Sequence, residues 1–293
     1  MPPPEYFDAD RAEVERALER QLPPGDAPPP IIHQAMRYSV FAGGKRIRPI
    51  LCLEAARIFS AQPPGILEVA CALEFIHTYS LIHDDLPALD NDDLRRGRPT
   101  CHKKFGEAMA ILAGDALLTR AFQTLSNAAV EPERRVRIIQ EVSAAAGTLD
   151  GMVGGQVADL EAEGKPIGAE MLAYIHRSKT AALIRVAAVA GALAGGAEYE
   201  DVERVRRFGE DIGLAFQVVD DILDVEESSA TLGKTAGKDE SQKKATYPAL
   251  YGLDESRRTA RELVERAHQE LAPFAERSRR LLELADFLIQ RRA

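Results

Sequence analysis

The chain has 293 residues, of which 45% are hydrophobic and 28% are charged, a composition that allows a large globular core. Its formal net charge of -9 argues against a nucleic-acid binder, which would carry a basic face. The three cysteines, Cys52, Cys71 and Cys101, show no CxxC spacing, so we expect reduced thiols in the cytoplasm. We expect no signal peptide, because no positively charged start is followed by an apolar stretch at the N-terminus. We expect no stable membrane association, because the longest apolar run, residues 186–197, is too short to span a bilayer.

Apolar spacing predicts helices along most of the chain. In residues 10–22, Val14, Leu18 and Leu22 recur every four residues, as on one face of an amphipathic helix. The proline-rich segment 23–30 predicts a loop, because proline cannot continue a helix. Further helices are predicted over residues 31–58, 66–86, 105–127, 133–150, 169–196, 199–226, 254–271 and 276–291.

The pattern favours one all-α domain over residues 1–293. No alternation of β-branched residues supports a sheet, and no Ser/Gly-rich linker divides the chain. Residues 66–86 and 180–194 are apolar on most sides, which predicts interior helices. Charged residues concentrate in 255–280, which predicts a solvated outer layer. We therefore expect a large helix bundle, with central helices wrapped by peripheral ones.

Two acidic clusters each follow an apolar helical stretch. Asp220 and Asp224 lie about 40° apart on one helix face, and Gln217 falls one turn earlier. In the cluster HDDLPALDNDD, Asp84 and Asp90 can converge only if the chain bends, as Pro87 indicates. Carboxylate oxygens are the ligands that hard cations such as Mg²⁺ prefer. An isolated cluster of this kind would suggest a solvated surface, but two together predict a metal site.

Basic segments accompany the acidic clusters. They are GGKRIRP at residues 43–49 and DLRRGRP at residues 93–99. The Gly43–Gly44 pair allows close backbone approach, and arginine offers a planar fork suited to phosphate oxygens. Arg95 and Arg96, next to an acidic cluster, therefore predict phosphate recognition beside a metal. The histidines outside these segments are interpreted as structural or surface residues: His33, His102, His176 and His268.

The set GGKRIRP, HDDLPALDNDDLRRGRPT, AGDALL, GGQVADL, Lys179-Thr180, FQVVDDILD and LGKTAGKD followed by KKATYPALYG resembles the short-chain trans-polyprenyl diphosphate synthases. It is most similar to their bacterial farnesyl diphosphate synthase (geranyltranstransferase) group. The resemblance covers residues 38–252 and continues loosely to the C-terminus. It implies an antiparallel helix bundle around a deep central cleft, the isoprenoid synthase type, and a homodimer. It also implies condensation of isopentenyl diphosphate with an allylic diphosphate, with three Mg²⁺ ions for which Mn²⁺ can substitute.

The resemblance assigns roles to individual residues. The metal ligands would be Asp84, Asp85, Asp90, Asp220, Asp221 and Asp224, which with Lys179 form the catalytic set. The allylic diphosphate would also be held by Arg95, Lys179, Thr180, Gln217, Lys234 and Lys244. Isopentenyl diphosphate would be bound without metal by Lys45, Arg48, His77 and Arg96. The apolar cleft would exclude water from the allylic cation.

Product length is expected to depend on the helix that leads to the first acidic cluster. An aromatic residue five positions before Asp84, here Tyr79, and the two inserted residues Pro87-Ala88 resemble the farnesyl-forming type. Ideal helix geometry places Ser80 below Asp84 and Tyr79 about 140° around the helix. Geometry alone therefore does not select Tyr79 over a core aromatic.

Three alternatives stay open. A geranylgeranyl diphosphate synthase of the same family would carry the same motifs. A class I terpene cyclase would leave GGKRIRP unexplained, since it needs only one diphosphate site. A non-catalytic partner subunit would have no reason to keep both acidic clusters.

Overall fold

The computed structural model describes residues 2–231 and 246–290, and side chains at 227–231 are left undescribed. Its α-helices are α1 (Phe7–Gln21), α2 (Pro30–Val40), α3 (Ile47–Arg57), α4 (Ile66–Asp84), α5 (Cys101–Phe105), α6 (Glu107–Asn127), α7 (Pro132–Ala146), α8 (Met152–Ala162), α9 (Ala169–Ile175), α10 (Ala182–Gly195), α11 (Tyr199–Thr231), α12 (Tyr247–Tyr251), α13 (Leu253–Leu271) and α14 (Arg279–Ile289). A π-helical turn, His176–Ala181, joins α9 to α10, and a 3₁₀ segment, Ala272–Ser278, joins α13 to α14. The all-α prediction is confirmed.

The centre of the bundle is formed by α4 and α10. Every residue of α10 except Arg185 is buried, and α10 packs on α3, α4, α7 and α11. In α4 the eight consecutive residues from Val69 to Ile76 are all buried. The outer helix α13 instead buries one stripe, Ala260, Leu263, Ala267 and Leu271, under a charged face. The predicted central and peripheral helices are therefore confirmed.

A glycine pair divides one helix that the periodicity predicts as continuous, and another glycine delays the start of a second helix. The predicted helix 31–58 is split into α2 and α3, because Gly43 and Gly44 have φ values of 92° and 133° that no helix accommodates. The predicted helix 105–127 begins beyond Gly106, whose φ is 85°. The first break places the basic segment 43–49 on a turn at the start of α3.

A short hairpin is the one β element in the described part of the chain, and the sequence analysis did not predict it. Strand β1 (Leu94–Arg95) pairs antiparallel with β2 (Arg98–Pro99). Arg96 and Gly97 form its two-residue turn with φ values of 52° and 73°, as a type I′ turn requires. The hairpin presents Arg95 and Arg96 beside α4.

Two helical stretches are long and apolar enough to cross a membrane, Ile66–Asp84 and Ala169–Gly195. Inside the protein, 61% and 78% of their apolar windows are buried. Both therefore have the burial of core helices.

Buried charges join the first and last helices to α3. Arg57 donates to Asp10 at 2.8 Å, and Arg280 donates to Glu54 at 2.8 Å and to Asp10 at 2.9 Å. Glu54 is only 2% exposed. Burial and a hydrogen bond that the protonated Glu54 donates to Asp10 raise the pKa of Glu54 from 4.5 to about 7, against the two arginines that lower it.

The raised pKa of Glu54 predicts that the free energy of unfolding falls as the pH rises from about 4.5 to about 7. Between about pH 4.5 and about pH 7 the folded protein holds a proton on Glu54 that the unfolded chain has lost, so the free energy of unfolding decreases with pH. Urea unfolding across this window should show that decrease, and Glu54→Gln should flatten it. Glu141→Gln is the matched control: Arg206 lowers the pKa of Glu141, so its contribution is lost only below this window. An unchanged slope in Glu54→Gln would contradict the assignment.

Candidate active site

The first acidic cluster folds back over the end of α4. The helix ends at Asp84, and the amide of Asp90 donates to the carbonyl of Asp84 at 2.8 Å. The amide of Asn91, at φ 51°, donates to the carbonyl of Leu86 at 3.1 Å. The bend that the sequence requires is therefore present, and it brings the backbone of Asp90 beside Asp84.

Asp85 and Arg95 form a bidentate ion pair. The Nε and Nη2 atoms of Arg95 lie 2.8 Å and 2.5 Å from Asp85 Oδ1, and Asp85 is 3% exposed. Planar pairing of this kind fixes both side chains. Asp85 thus orients Arg95, while its role as a metal ligand stays a prediction.

The second acidic cluster lies on α11. Asp221 is 5% exposed and accepts from Gln217 at 3.0 Å and from the amide of Tyr247 at 2.8 Å. The ring of His176 lies 3.3 Å from the same carboxylate and stacks on Tyr247. Asp221 therefore joins α11 to α12 and to the π-helical turn.

Lys179 and Thr180 lie on the π-helical turn, an irregularity that often marks functional sites. Lys179 donates to Asp159 of α8 at 2.6 Å. The turn packs closely on α8, because a Cβ on Gly155 would lie 2.2 Å from the Lys179 amide nitrogen. A glycine at position 155 therefore lets α8 approach the backbone that positions Lys179.

Two cavities meet at Lys179 and Thr180, which line both. The smaller, about 200 Å³, is also lined by Gln217, Asp221 and Asp224. The larger of these two, about 410 Å³, is called the main cavity because it carries Asp84 and the basic group. Its other lining residues are Arg48, His77, Tyr79, Ser80, Leu81, His83, Asp84, Leu89, Met152, Val153, Gln156, Val157, Leu160 and Leu183. The structure thus places Asp84 and the basic group on one cavity, and the second acidic cluster on a neighbouring cavity that shares Lys179 and Thr180 with it.

Carboxyl groups crowd together at the main cavity. Burial raises the pKa of Asp84 to about 6; Lys179 acts in the opposite direction, and Asp90 raises the pKa further. Like charges held together favour a bound cation. Their oxygen donors match a hard divalent metal ion. Within the described residues no three acidic, histidine or cysteine side chains are already grouped to hold a metal, since Asp85 and Asp221 face protein partners.

The basic segment forms a second group of charges on the main cavity. Burial lowers the pKa of Arg48, and Arg96 lowers it further. Burial also lowers the pKa of His77 well below its usual value, with Arg48 and Arg96 acting in the same direction. Lys45 is exposed at the preceding turn. These groups are suited to an anion that needs no metal.

Arg96 crosses from the hairpin to the glycine turn. It donates to the carbonyl of Gly43, and a Cβ on Gly44 would lie 2.6 Å from its Nη1 atom. Gly44 therefore leaves room for the guanidinium of Arg96. Arg95 pairs with Asp85 of the first acidic cluster. Arg96, the next residue, contacts the glycine turn and belongs to the basic group.

Tyr79 and Ser80 both line the main cavity. Tyr79 is 6% exposed, and its ring meets that of His83 edge to face at 5.8 Å. Ideal helix geometry favoured Ser80 alone, but the aromatic ring is large enough to reach the cavity from a neighbouring position.

Lys234 and Lys244, assigned to the allylic diphosphate, lie outside the described residues. Sequence reasoning missed Asp159, although GGQVADL contains it, because only the structure pairs it with Lys179. It also placed His176 among structural or surface histidines; His176 is buried, as a structural residue would be, but it lies against Asp221.

An all-helical bundle that places Asp84 and a cationic group on one cavity, and a second acidic cluster on the neighbouring cavity, suits a class of enzyme that handles two anionic substrates. Comparison with known proteins identifies the family within this class. Residues 29–282 match the polyprenyl synthetase family. The chain belongs to this family, the short-chain trans-prenyltransferases.

Relatives are similar over nearly the whole chain. A dimethylallyltranstransferase of Fischerella ambigua (strain UTEX 1903) is 49% identical over 98% of this chain and 83% of its own. The heterodimeric geranylgeranyl pyrophosphate synthase large subunit 1 of Arabidopsis thaliana, chloroplastic, is 50% identical over 95% of this chain and 76% of its own. The apo crystal structure of an FPP/GFPP synthase from Zymomonas mobilis superposes with a TM-score of 0.85 at 37% identity, covering 97% of both chains. The isoprenoid synthase fold expected from the sequence is confirmed.

The packing of α8 on the π-helical turn predicts the effect of Gly155→Ala. The added Cβ would overlap the Lys179 backbone, so we expect a loss of about 1–3 kcal/mol in stability and weaker binding of inorganic pyrophosphate. The measurements are thermal unfolding and calorimetric titration. Gly168→Ala is the matched control, because its Cβ would meet open space at φ -85°. Equal behaviour of the two variants would show that the close approach is unimportant.

Proposed function

We propose that this protein condenses isopentenyl diphosphate with dimethylallyl or geranyl diphosphate to give farnesyl diphosphate. The observation that supports this most is the position of Arg48 and His77 on the same cavity as Asp84, Lys179 and Thr180. A metal-dependent anion site and a metal-independent one next to each other suit two diphosphate substrates that must react together. A terpene cyclase would need only the first.

Divalent metal is part of the proposal. Asp84, Asp90, Asp220 and Asp224 would hold Mg²⁺, for which Mn²⁺ could substitute, with Asp85 and Asp221 completing the predicted set of ligands for three ions. When bound, the metal ions would stabilise the negative charge that develops on the leaving diphosphate.

The chain's own residues would bind and orient the two substrates. Arg95, Lys179, Thr180 and Gln217 would hold the allylic diphosphate, with Lys234 and Lys244 as further predicted contacts. Lys45, Arg48, His77 and Arg96 would hold isopentenyl diphosphate through hydrogen bonds and charge. Met152, Val153, Leu160 and Leu183 line the cavity and would exclude water from the allylic cation. The departing diphosphate would accept the proton lost after the new carbon–carbon bond forms.

The farnesyl product is proposed because Tyr79 and His83 narrow the cavity next to Asp84. A growing chain that starts at the first acidic cluster would meet the Tyr79 ring. Geranylgeranyl diphosphate is the second candidate, since the Arabidopsis relative at 50% identity carries that name.

We further propose a cytoplasmic homodimer. The large apolar side chains Ile111, Leu112 and Leu149 are 45%, 52% and 87% exposed, and a second copy could cover them. The cysteines Cys52, Cys71 and Cys101 are free and buried, as suits a reducing compartment.

The reaction is tested with purified protein, dimethylallyl diphosphate, isopentenyl diphosphate and Mg²⁺. We expect a fifteen-carbon product and a loss of roughly 10²–10³ in kcat for Asp84→Asn, the size seen when one charge-stabilising group is removed. Asp254→Asn, at a fully exposed position, should keep full activity. Diphosphate release from dimethylallyl diphosphate alone would favour a cyclase, and inactivity of the wild-type protein would favour a partner subunit.

Product length is tested by Tyr79→Ala, which opens the cavity next to His83. We expect mass spectrometry to show products longer than those of the wild type. Tyr79→Phe keeps the ring and removes only the hydroxyl, so it should retain the wild-type product. If Tyr79→Ala retained that product as well, Tyr79 would be a core aromatic and nothing more.

A further inference from the structure

Glu74 is a buried carboxylate among the cations of the basic group, and the reaction outlined above does not use it. It lies on α4, one turn before His77, and it is 3% exposed. A small cavity of about 30 Å³ is lined by Glu74, Asp85, Arg95 and Arg96. Buried carboxylates are rare unless they are paired, so its position needs an explanation.

The partner of Glu74 is Arg46. Arg46 Nη1 donates to Glu74 Oε1 at 2.6 Å, and the two side chains are 1% and 4% exposed. The other nitrogens of Arg46 donate to Glu15 at 2.7 Å and to the Val40 carbonyl at 2.6 Å. Every guanidinium nitrogen is thus held inside the protein, which leaves Arg46 unable to reach a substrate.

Arg46 is also the N-cap residue, directly before α3. Its backbone is left-handed, with φ 52° and ψ 39°, and its carbonyl accepts from Ile50 at 3.1 Å. This conformation is unfavourable for a residue with a side chain, so the side-chain contacts must stabilise it. Lys45 and Arg48 flank this turn and therefore depend on it for their positions.

The charge of Glu74 also acts on the arginines that face the cavity. Burial lowers the pKa of Arg48 and of Arg96, and in both cases Glu74 is the largest influence in the opposite direction. Glu74 thereby offsets part of the repulsion among closely placed guanidinium groups.

We propose that Glu74 is a positioning residue for the metal-free diphosphate site: it anchors Arg46 and so fixes the turn that presents Lys45 and Arg48. The identity of the ligand at that site, isopentenyl diphosphate, rests on the proposed function. Glu74 itself contacts no substrate.

The test is calorimetric binding of isopentenyl diphosphate in EDTA, together with steady-state kinetics. In Glu74→Gln we expect the Kd and the KM for isopentenyl diphosphate to rise about tenfold, equivalent to about 1.4 kcal/mol. The KM for the allylic substrate should stay unchanged. Glu74→Asp, which keeps the charge, should recover part of the affinity.

A purely electrostatic role predicts the opposite sign. Removing a negative charge would then tighten diphosphate binding, and a lower Kd in Glu74→Gln would overturn the proposal. Equal losses for both substrates would overturn it as well, because they would indicate general structural damage.

Glu54→Gln is the matched control. Glu54 is another buried carboxylate paired with arginines, on neighbouring α3, and its loss should change stability without changing the Kd for isopentenyl diphosphate. If Glu74→Gln fails to fold, Glu15→Gln takes its place, since the Glu15 side chain is 35% exposed and holds the same Arg46. It should raise the Kd about twofold, as expected for a half-exposed pair, and an unchanged Kd would reject the proposal.

Failure of the proposed function would be distinguishable from failure of this inference. A wild-type protein that condenses the substrates, with a Glu74→Gln variant of unchanged Kd, would retain the function and reject the positioning role. A wild-type protein that binds isopentenyl diphosphate in a Glu74-dependent way but forms no product would support the positioning role and reject the proposed function.

Discussion

Carboxylates form one group and basic side chains another at the main cavity, and a few internal ion pairs hold the elements that carry them in place. Arg95 neutralises Asp85, Lys179 is held by Asp159, and Arg46 is held by Glu74. Each pair links two different elements: the hairpin to α4, the π-helical turn to α8, and the start of α3 to α4. The remaining charged groups, such as Asp84 and Arg48, are left to face the cavity. A bundle of apolar helices alone would give a stable fold, but it could not keep opposite groups of charge apart and aimed at a shared space.

The apolar core makes this arrangement rigid. Helices α4 and α10 are buried nearly all round, so the ends that carry Asp84 and the π-helical turn have little freedom to move. Irregular backbone appears where the charged groups are presented: the turn at Gly43 and Gly44, the fold-back after Asp84, and the π-helical turn itself. Regular helices supply the frame, and departures from regularity place the charged groups.

Much of this could be predicted from the sequence. The central and outer helices followed from apolar periodicity, and the bend near Pro87 followed from the need to bring Asp84 and Asp90 together. The break at Gly43 and Gly44 was missed, because these glycines sit inside an otherwise helical pattern. The partners of Lys179 and Arg46 were missed for another reason: Asp159 and Glu74 are 20 and 28 residues away in sequence, and no local pattern signals such pairs. Tyr79 was selected by resemblance, and its place on the cavity became visible only with the side chains packed.

The hairpin fixes the spacing between the contacts that Arg95 and Arg96 make. Arg95 and Arg96 are consecutive, so their Cα atoms are about 3.8 Å apart, yet one pairs with the acidic cluster and the other reaches the glycine turn. The end of β1 and the turn that follows it thus set the spacing between these two contacts. Any insertion between these arginines would change that spacing and send one side chain to the other side of the strand. Under the proposed function, a single peptide unit would therefore help to set the distance between the two diphosphate groups.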